Sequence, residues 1–289
     1  MDQSMPFLRI SGVSKTFEGE GAAHAPIHVI DNVSMDLASG ELAVYLGPSG
    51  CGKTTLMRIV GGLETADRGE IFLSGKKVTG PDRQKGMVFQ TYTSFPWLTV
   101  IDNIRFGTKY RRDIGGAEKD EVAHRYLDLV GLREFAGFYV NKISGGMRQR
   151  VAIARTLAAG PDILLMDEPF GALDAQTREF LQYQLLEINR IENKAVIFVT
   201  HDVEEAVFLA DRIFMFSARP ATVVEEIVVA DHVPGERNLA TKESEAFFHL
   251  RNHVRDVMRG EVGRIEEKTM AQSGAGGAGG AGGAGGAGE

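Results

Sequence analysis

Gly47-Pro48-Ser49-Gly50-Cys51-Gly52-Lys53-Thr54 follows directly on the apolar run Leu-Ala-Val-Tyr-Leu at 42–46 and precedes a helical pattern. A buried strand that opens onto a helix through such a turn fits a phosphate-binding loop, Gly-x4-Gly-Lys-Thr. Glycines let the backbone curl so that successive N–H groups point at phosphate oxygens. The helix that begins near Lys53 adds the positive end of its dipole. Lys53 is expected to reach the β- and γ-phosphates of a nucleotide, and the Thr54 hydroxyl to ligate Mg²⁺. The alternative is a glycine-rich turn with a chance lysine, which the flanking strand and helix disfavour. Cys51, the only cysteine of the chain, reads as a small loop residue and a target for thiol reagents rather than as a redox centre.

Beyond this loop, short apolar runs at 7–10, 29–37, 71–73, 87–89, 163–166, 195–199, 213–216 and 222–229 predict strands. Helical patterns span 120–130, 145–159, 174–191, 203–210 and 243–258. Strands alternating with helices in the second half predict an α/β fold around a mostly parallel sheet. In the last helix, Phe247, Leu250, Val254 and Val257 share one face, which either packs on its own domain or binds a partner. From 273 to 289 the chain is Gly/Ala repeats with nothing to build a core, a flexible linker either natural or left by a fusion. The 289 residues carry 32 Lys and Arg against 39 Asp and Glu, a net charge of −7. That balance excludes a strongly basic nucleic-acid-coating protein. One cysteine leaves no internal disulfide, and no run reaches the ~18 apolar residues of a membrane span.

A phosphate loop needs an acidic metal partner. Ile163-Leu-Leu-Met-Asp167-Glu168 is an apolar strand ending in two carboxylates. Adjacent residues there point in different directions, so Asp167 is expected in the Mg²⁺ shell and Glu168 beside the attacking water as general base. Ile143-Ser144-Gly145-Gly146-Met147-Arg148-Gln149-Arg150 opens a helix one helix and loop before that strand. Ser144 alone would be a plain N-cap.

With this segment the chain resembles the ATP-binding cassette (ABC) ATPases over about residues 7–229, with Ile143 where Leu is usual. The resemblance implies a P-loop NTPase core with a mostly parallel sheet, an antiparallel β subdomain and a helical signature subdomain at about 91–159. It assigns 1–240 to the ATPase, 241–272 to a C-terminal helical extension and 273–289 to the tail. It places ATP on Phe17, Gly47, Pro48, Ser49, Gly50, Cys51, Gly52, Lys53, Thr54, Thr55 and Gln90. Mg²⁺ falls to Thr54, Gln90 and Asp167, and catalysis to Glu168 and His201. Ser144, Gly145, Gly146 and Gln149 would reach the γ-phosphate held by a second copy of the chain. Asp174 would cross that dimer interface; in isolation it reads as a helix N-cap, as His201 alone would read as structural.

After Gln90 come Tyr92, Phe95, Pro96 and Trp97, three aromatics in a short loop. They read either as buried core or as a docking groove for a permease helix. The resemblance favours docking and is nearest to the nitrate/sulfonate/taurine importer group, which the turn Ser217-Ala-Arg-Pro220 also suggests, although Ala221 stands where Gly is common. It implies permease subunits, indirectly a solute-binding protein, no nucleic acid, and a peripheral place on the cytoplasmic face of the membrane. A soluble ABC ATPase of translation or DNA maintenance is the competing reading. Against it stand a single cassette, no long coiled coil and no basic surplus. A non-hydrolysing switch is disfavoured by the presence of both Glu168 and His201.

Overall fold

The computed structural model describes residues 6–19, 25–90 and 93–275, from residue 264 on as backbone. Its elements are β1 (Leu8–Phe17), β2 (Ile27–Leu37), β3 (Leu42–Leu46), α1 (Lys53–Val60), β4 (Arg68–Leu73), β5 (Lys76–Lys77), β6 (Lys85–Val88), α2 (Val100–Gly107), α3 (Gly116–Leu129), α4 (Gly145–Ala158), β7 (Ile163–Asp167), α5 (Ala175–Glu192), β8 (Ala195–Thr200), α6 (Val203–Leu209), β9 (Arg212–Phe216), β10 (Val223–Val228) and α7 (Glu245–Ala275). They form an antiparallel sheet in the order β2-β1-β4-β5 and a larger sheet in the order β10-β9-β3-β8-β7-β6. In the larger sheet only β10 runs antiparallel to its neighbour.

Every residue of β3, β7 and β8 is buried. That is why these strands read as continuous apolar runs: parallel strands are covered on both faces. The pleat divides their side chains between two cores. Leu42, Val44 and Leu46 join Leu164, Met166, Val196 and Phe198 under the helices. Ala43 and Tyr45 join Leu165, Ile197 and Val199 against α1 and the antiparallel sheet. Tyr45 is fully buried there, edge-on to Phe214 and Phe216. Asp167 lies level with Val199, and Leu46 with Thr200. The carboxyl ends of β3, β7 and β8 therefore finish side by side, where open α/β sheets hold their ligands.

The strand β1 runs well past the apolar 7–10 expected to form it. Its later half alternates buried Val13 and Lys15 with more exposed residues, and pairs with β2 through several register shifts. The helix α2 follows directly on the aromatic loop, inside the helical subdomain expected at about 91–159; Thr99 caps it, accepting from Asp102 N–H. The last helix starts two residues later than expected and continues to Ala275, so the glycine–alanine stretch begins inside α7 and its remainder lies outside the described residues. Phe247, Leu250 and Val254 are buried among Phe208, Val229 and Val233, and Val257 packs partly against them. This face covers its own domain. Phe247→Ala should therefore lower unfolding stability by about 3–5 kcal/mol, read from denaturant titration of the two chains.

Candidate functional site

The phosphate loop bridges the end of β3 and the start of α1. Gly52 has φ 132°, and a Cβ on it would lie 2.8 Å from the Val29 carbonyl oxygen; only glycine fits there. Lys53 is buried, and its Nζ donates to the Gly47 carbonyl (2.7 Å) and the Pro48 carbonyl (2.8 Å). The ammonium is thus fixed inside the curl of the loop. Thr54 Oγ1 donates to Asp167 Oδ1 at 2.7 Å, joining the loop to the end of β7. Burial pushes the Asp167 carboxyl above its ordinary value; the Thr54 hydrogen bond opposes the rise and the nearby Glu168 charge adds to it. A carboxylate in that setting gains from a cation.

Glu168 takes the next step of the chain at φ 42°, held by its N–H donating to the Val199 carbonyl (3.0 Å). A non-glycine residue in the left-handed region is uncommon, and such backbone concentrates at functional sites. The turn separates the two carboxylates, leaving Asp167 on Thr54 and Glu168 facing the cleft. Glu168 Oε2 lies 3.2 Å from Nδ1 of His201, the residue after β8. Gln90 follows β6 and is not among the residues that line the cleft; its Nε2 and Glu168 Oε2 both approach Gly171, each 3.9 Å from where a Cβ would stand.

A cleft of about 390 Å³ is lined by Phe17, Ile27, Val29, Gly50, Gly52, Lys53, Thr54, Thr55, Glu168 and Arg219. Phe17 ends β1 and is 37% exposed, and Lys15 Nζ sits 5.0 Å from the ring centroid. An exposed ring at the mouth of a polar cleft offers a stacking surface for a planar base. Phe17→Ala is expected to weaken MgATP binding by ~5- to 10-fold, the low end of the ~1–3 kcal/mol of a base–aromatic stack, as measured by calorimetric titration. Gly47 and Pro48 are buried and supply carbonyls to Lys53, Cys51 is buried with its thiol 3.8 Å from Lys53 Nζ, and Ser49 is exposed on the loop.

The signature segment lies elsewhere. Ser144 is exposed and caps α4, accepting from Met147 N–H. Ser144, Gly146 and Met147 line a second groove with Arg150, Thr177 and Phe180, and none of these residues lines the cleft. Gly146 must lack a side chain, because a Cβ would lie 2.5 Å from Thr177 Cγ2. Gln149 does not join this surface. It is fully buried, on the core-facing stripe of α4 with Gly146, Ile153 and Leu157. It stands one turn after Gly145 and Gly146 on the same face of α4, beneath the exposed Ser144. Asp174 caps α5, accepting from Thr177 N–H at 3.0 Å, and that hydrogen bond holds its carboxyl below the usual range.

The residues of the aromatic loop differ in burial. Phe95 packs on Phe106 (centroids 4.6 Å) under the Arg155 guanidinium, and its backbone is held by Asn103. Pro96 and Trp97 are exposed, Trp97 by 69%; Tyr92 lies outside the described residues. Sequence reasoning assigned no role to Ile27, Val29 or Arg219, which wall the cleft. Arg219 was visible only as part of the turn before β10. Among the described residues no cluster of three or more His, Cys, Asp and Glu side chains is arranged to hold a metal.

Comparison with known proteins agrees with this geometry. The family profile described as "ABC transporter" matches residues 30–171. The chain is 41% identical over 257 residues to the nitrate import ATP-binding protein NrtD of Synechocystis, covering 88% of this chain and 95% of that one. It is 44% identical over 222 residues to the taurine import ATP-binding protein TauB of Roseobacter denitrificans, covering 77% and 82%. Among solved structures it is similar to the dimeric ATP-binding cassette MJ0796 in a post-hydrolysis state with ADP and Pi. There the TM-score is 0.66 at 34% identity, covering 77% of this chain and 98% of that one. The phosphate loop, the paired carboxylates at the end of β7 and the histidine after β8 have their explanation in this kinship: the chain belongs to the ABC transporter family, among its ATP-hydrolysing ATP-binding proteins.

Proposed function

We propose that the chain is the ATPase subunit of an importer for a small anionic solute of the nitrate, sulfonate or taurine kind, working as a homodimer beneath permease subunits. Relatives named for nitrate and taurine import support the solute class. The observation that carries the dimer is the separation of the two half-sites. The cleft holds Phe17, Lys53, Thr54 and Glu168, while Ser144 and Gly146 line a groove of their own. ATP bound in one cleft then takes its remaining phosphate contacts from Ser144, Gly145 and Gly146 of a second copy, with Asp174 at the same interface.

In this reading Lys53 and the loop N–H groups neutralise the phosphates, and Phe17 stacks on the base. Thr54, Asp167 and Gln90 would hold Mg²⁺ through oxygen donors, and the ion would supply neutralising charge for the phosphates. Glu168 takes the proton of the attacking water, and His201 Nδ1 holds its carboxylate in place. The ATPase covers residues 1–240, α2 to α4 carry the signature, and α7 is the extension.

No helix among the described residues is long and apolar enough to cross a membrane. Coupling is assigned to contact with permease subunits at the cytoplasmic face, a reading supported by the relatives named as import ATP-binding proteins. An external solute-binding protein completes the system. The exposed Pro96 and Trp97, which follow Gln90 in the chain, are assigned the docking surface. Because Trp97 is so exposed, Trp97→Ala should keep the unfolding temperature while weakening co-purification with the permease. An unfolded variant would return the residue to the core reading.

The direct test is a detergent pull-down from native membranes with the Glu168→Gln chain and MgATP. An integral-membrane partner, with its solute-binding protein, is expected. Ribosomes or DNA in its place would overturn the importer reading and leave the ATPase site intact.

A further inference from the structure

The turn between β9 and β10 touches the phosphate loop, β2 and α7. Arg219 donates from Nε (3.1 Å) and Nη2 (2.7 Å) to the carbonyl of Gly50, at the crest of the phosphate loop. A trans peptide holds its C=O and the following N–H on opposite sides. A carbonyl drawn toward Arg219 therefore turns the Cys51 N–H into the loop, where it lies 3.3 Å from the Pro48 carbonyl oxygen.

Two residues further on, Ala221 N–H donates to the Val29 carbonyl (2.8 Å), and Asp31 N–H donates to the Ala221 carbonyl (3.0 Å). These bonds fasten the turn to the strand that walls the cleft beside Phe17. Ser217 fixes the shape of the turn, its Oγ donating to the Pro220 carbonyl and accepting from Thr222 N–H, both at 2.9 Å. Behind the turn stands Glu261 of α7, 4% exposed, whose Oε2 accepts from Ala218 N–H at 3.1 Å. A carboxyl buried this deeply is tolerated only where hydrogen bonds satisfy it.

We infer that Arg219 is a positioning residue for the phosphate loop and that Glu261 holds the turn carrying it, so that the C-terminal helix sets the affinity of the cleft for MgATP. This rests on the ATP-binding reading of the cleft. Arg219 acts through the Gly50 peptide and not on the reacting atoms, so its loss registers in binding more than in turnover. The planar fork places two N–H groups on one carbonyl. A lysine keeps the charge at the cleft but only a single point of contact, so the two substitutions separate charge from geometry.

The test uses the full chain, with calorimetric titration of MgATP, steady-state kinetics and thermal unfolding. Arg219→Ala should raise Kd and KM by about 10-fold, the order expected for losing hydrogen bonds to a charged group, with kcat held within ~2-fold. Arg219→Lys should recover part of the affinity. Glu261→Leu, which removes the acceptor, should raise Kd by ~3-fold, and Glu261→Gln, which keeps one, should restore it. The double variant Arg219→Ala/Glu261→Leu should bind no more weakly than Arg219→Ala alone, because both changes act through one turn.

Wild-type affinity in Arg219→Ala, or a fall in kcat with KM unchanged, would overturn the assignment. Additive losses in the double variant would overturn the link to α7. Should Arg219→Ala fail to fold, Arg219→Lys and Glu261→Leu decide by the same readouts. Failure of the wild-type chain to bind MgATP would remove the cleft reading itself, a result distinct from unaltered affinity in the variants.

Discussion

Glu168→Gln is expected to keep MgATP bound while lowering its hydrolysis on the order of 10²- to 10⁴-fold, the usual effect of removing a general base. The amide is nearly isosteric and retains the backbone bond from residue 168 to the Val199 carbonyl, so the φ 42° turn survives. It can still meet His201 Nδ1, 3.2 Å from the present carboxylate. It cannot accept a proton from water at neutral pH. Loss of a negative charge beside Asp167 also favours an anionic ligand. Nucleotide affinity should hold or rise, and sedimentation in MgATP should show a persistent dimer. Turnover close to that of the wild type would take the base role away from Glu168.

Lys53→Ala should have the opposite profile, with binding lost first. The ammonium is buried and held by two loop carbonyls. A hydrogen bond to a charged group contributes about 1.5–3 kcal/mol, so MgATP affinity should fall ~10- to 100-fold. The two carbonyls lose their partner as well, which loosens the loop. Calorimetric titration checks this; unchanged affinity would mean that the phosphates do not lie in this loop.

The parts of the fold that showed in the sequence were those in which one local cause suffices. β3, β7 and β8 are buried on both faces, so an unbroken apolar run marked each of them. The phosphate loop was legible because its glycines, its lysine and the flanking strand and helix state one requirement together. The bounds of α2 within the expected helical subdomain were not legible because the helix is eight residues long and follows an aromatic-rich loop. Its sign was the Thr99-x-x-Asp102 cap, a weak pattern when read alone. The second half of β1 escaped because Ser, Lys and Thr interrupt it and bulges shift its register.

At the site, the place of Gln149 beside Gly145 and Gly146 was legible, because the i+3 and i+4 spacing puts it on their face of α4, while its full burial depends on packing that no local pattern marks. Arg219 and Glu261 were illegible for a different reason. Arg219 meets Gly50 across 169 positions of sequence and Glu261 meets Ala218 across 43, and a pairing at that distance leaves no local pattern.

The central claim is that each ATP is hydrolysed between two copies of the chain. The most direct measurement is the steady-state ATPase rate per chain as a function of chain concentration at saturating MgATP. A shared site predicts that turnover per chain rises in proportion to concentration at the dilute end and levels off as dimers saturate. A rate per chain that stays constant down to concentrations at which sedimentation finds only monomers would contradict it, because one chain would then complete its own site.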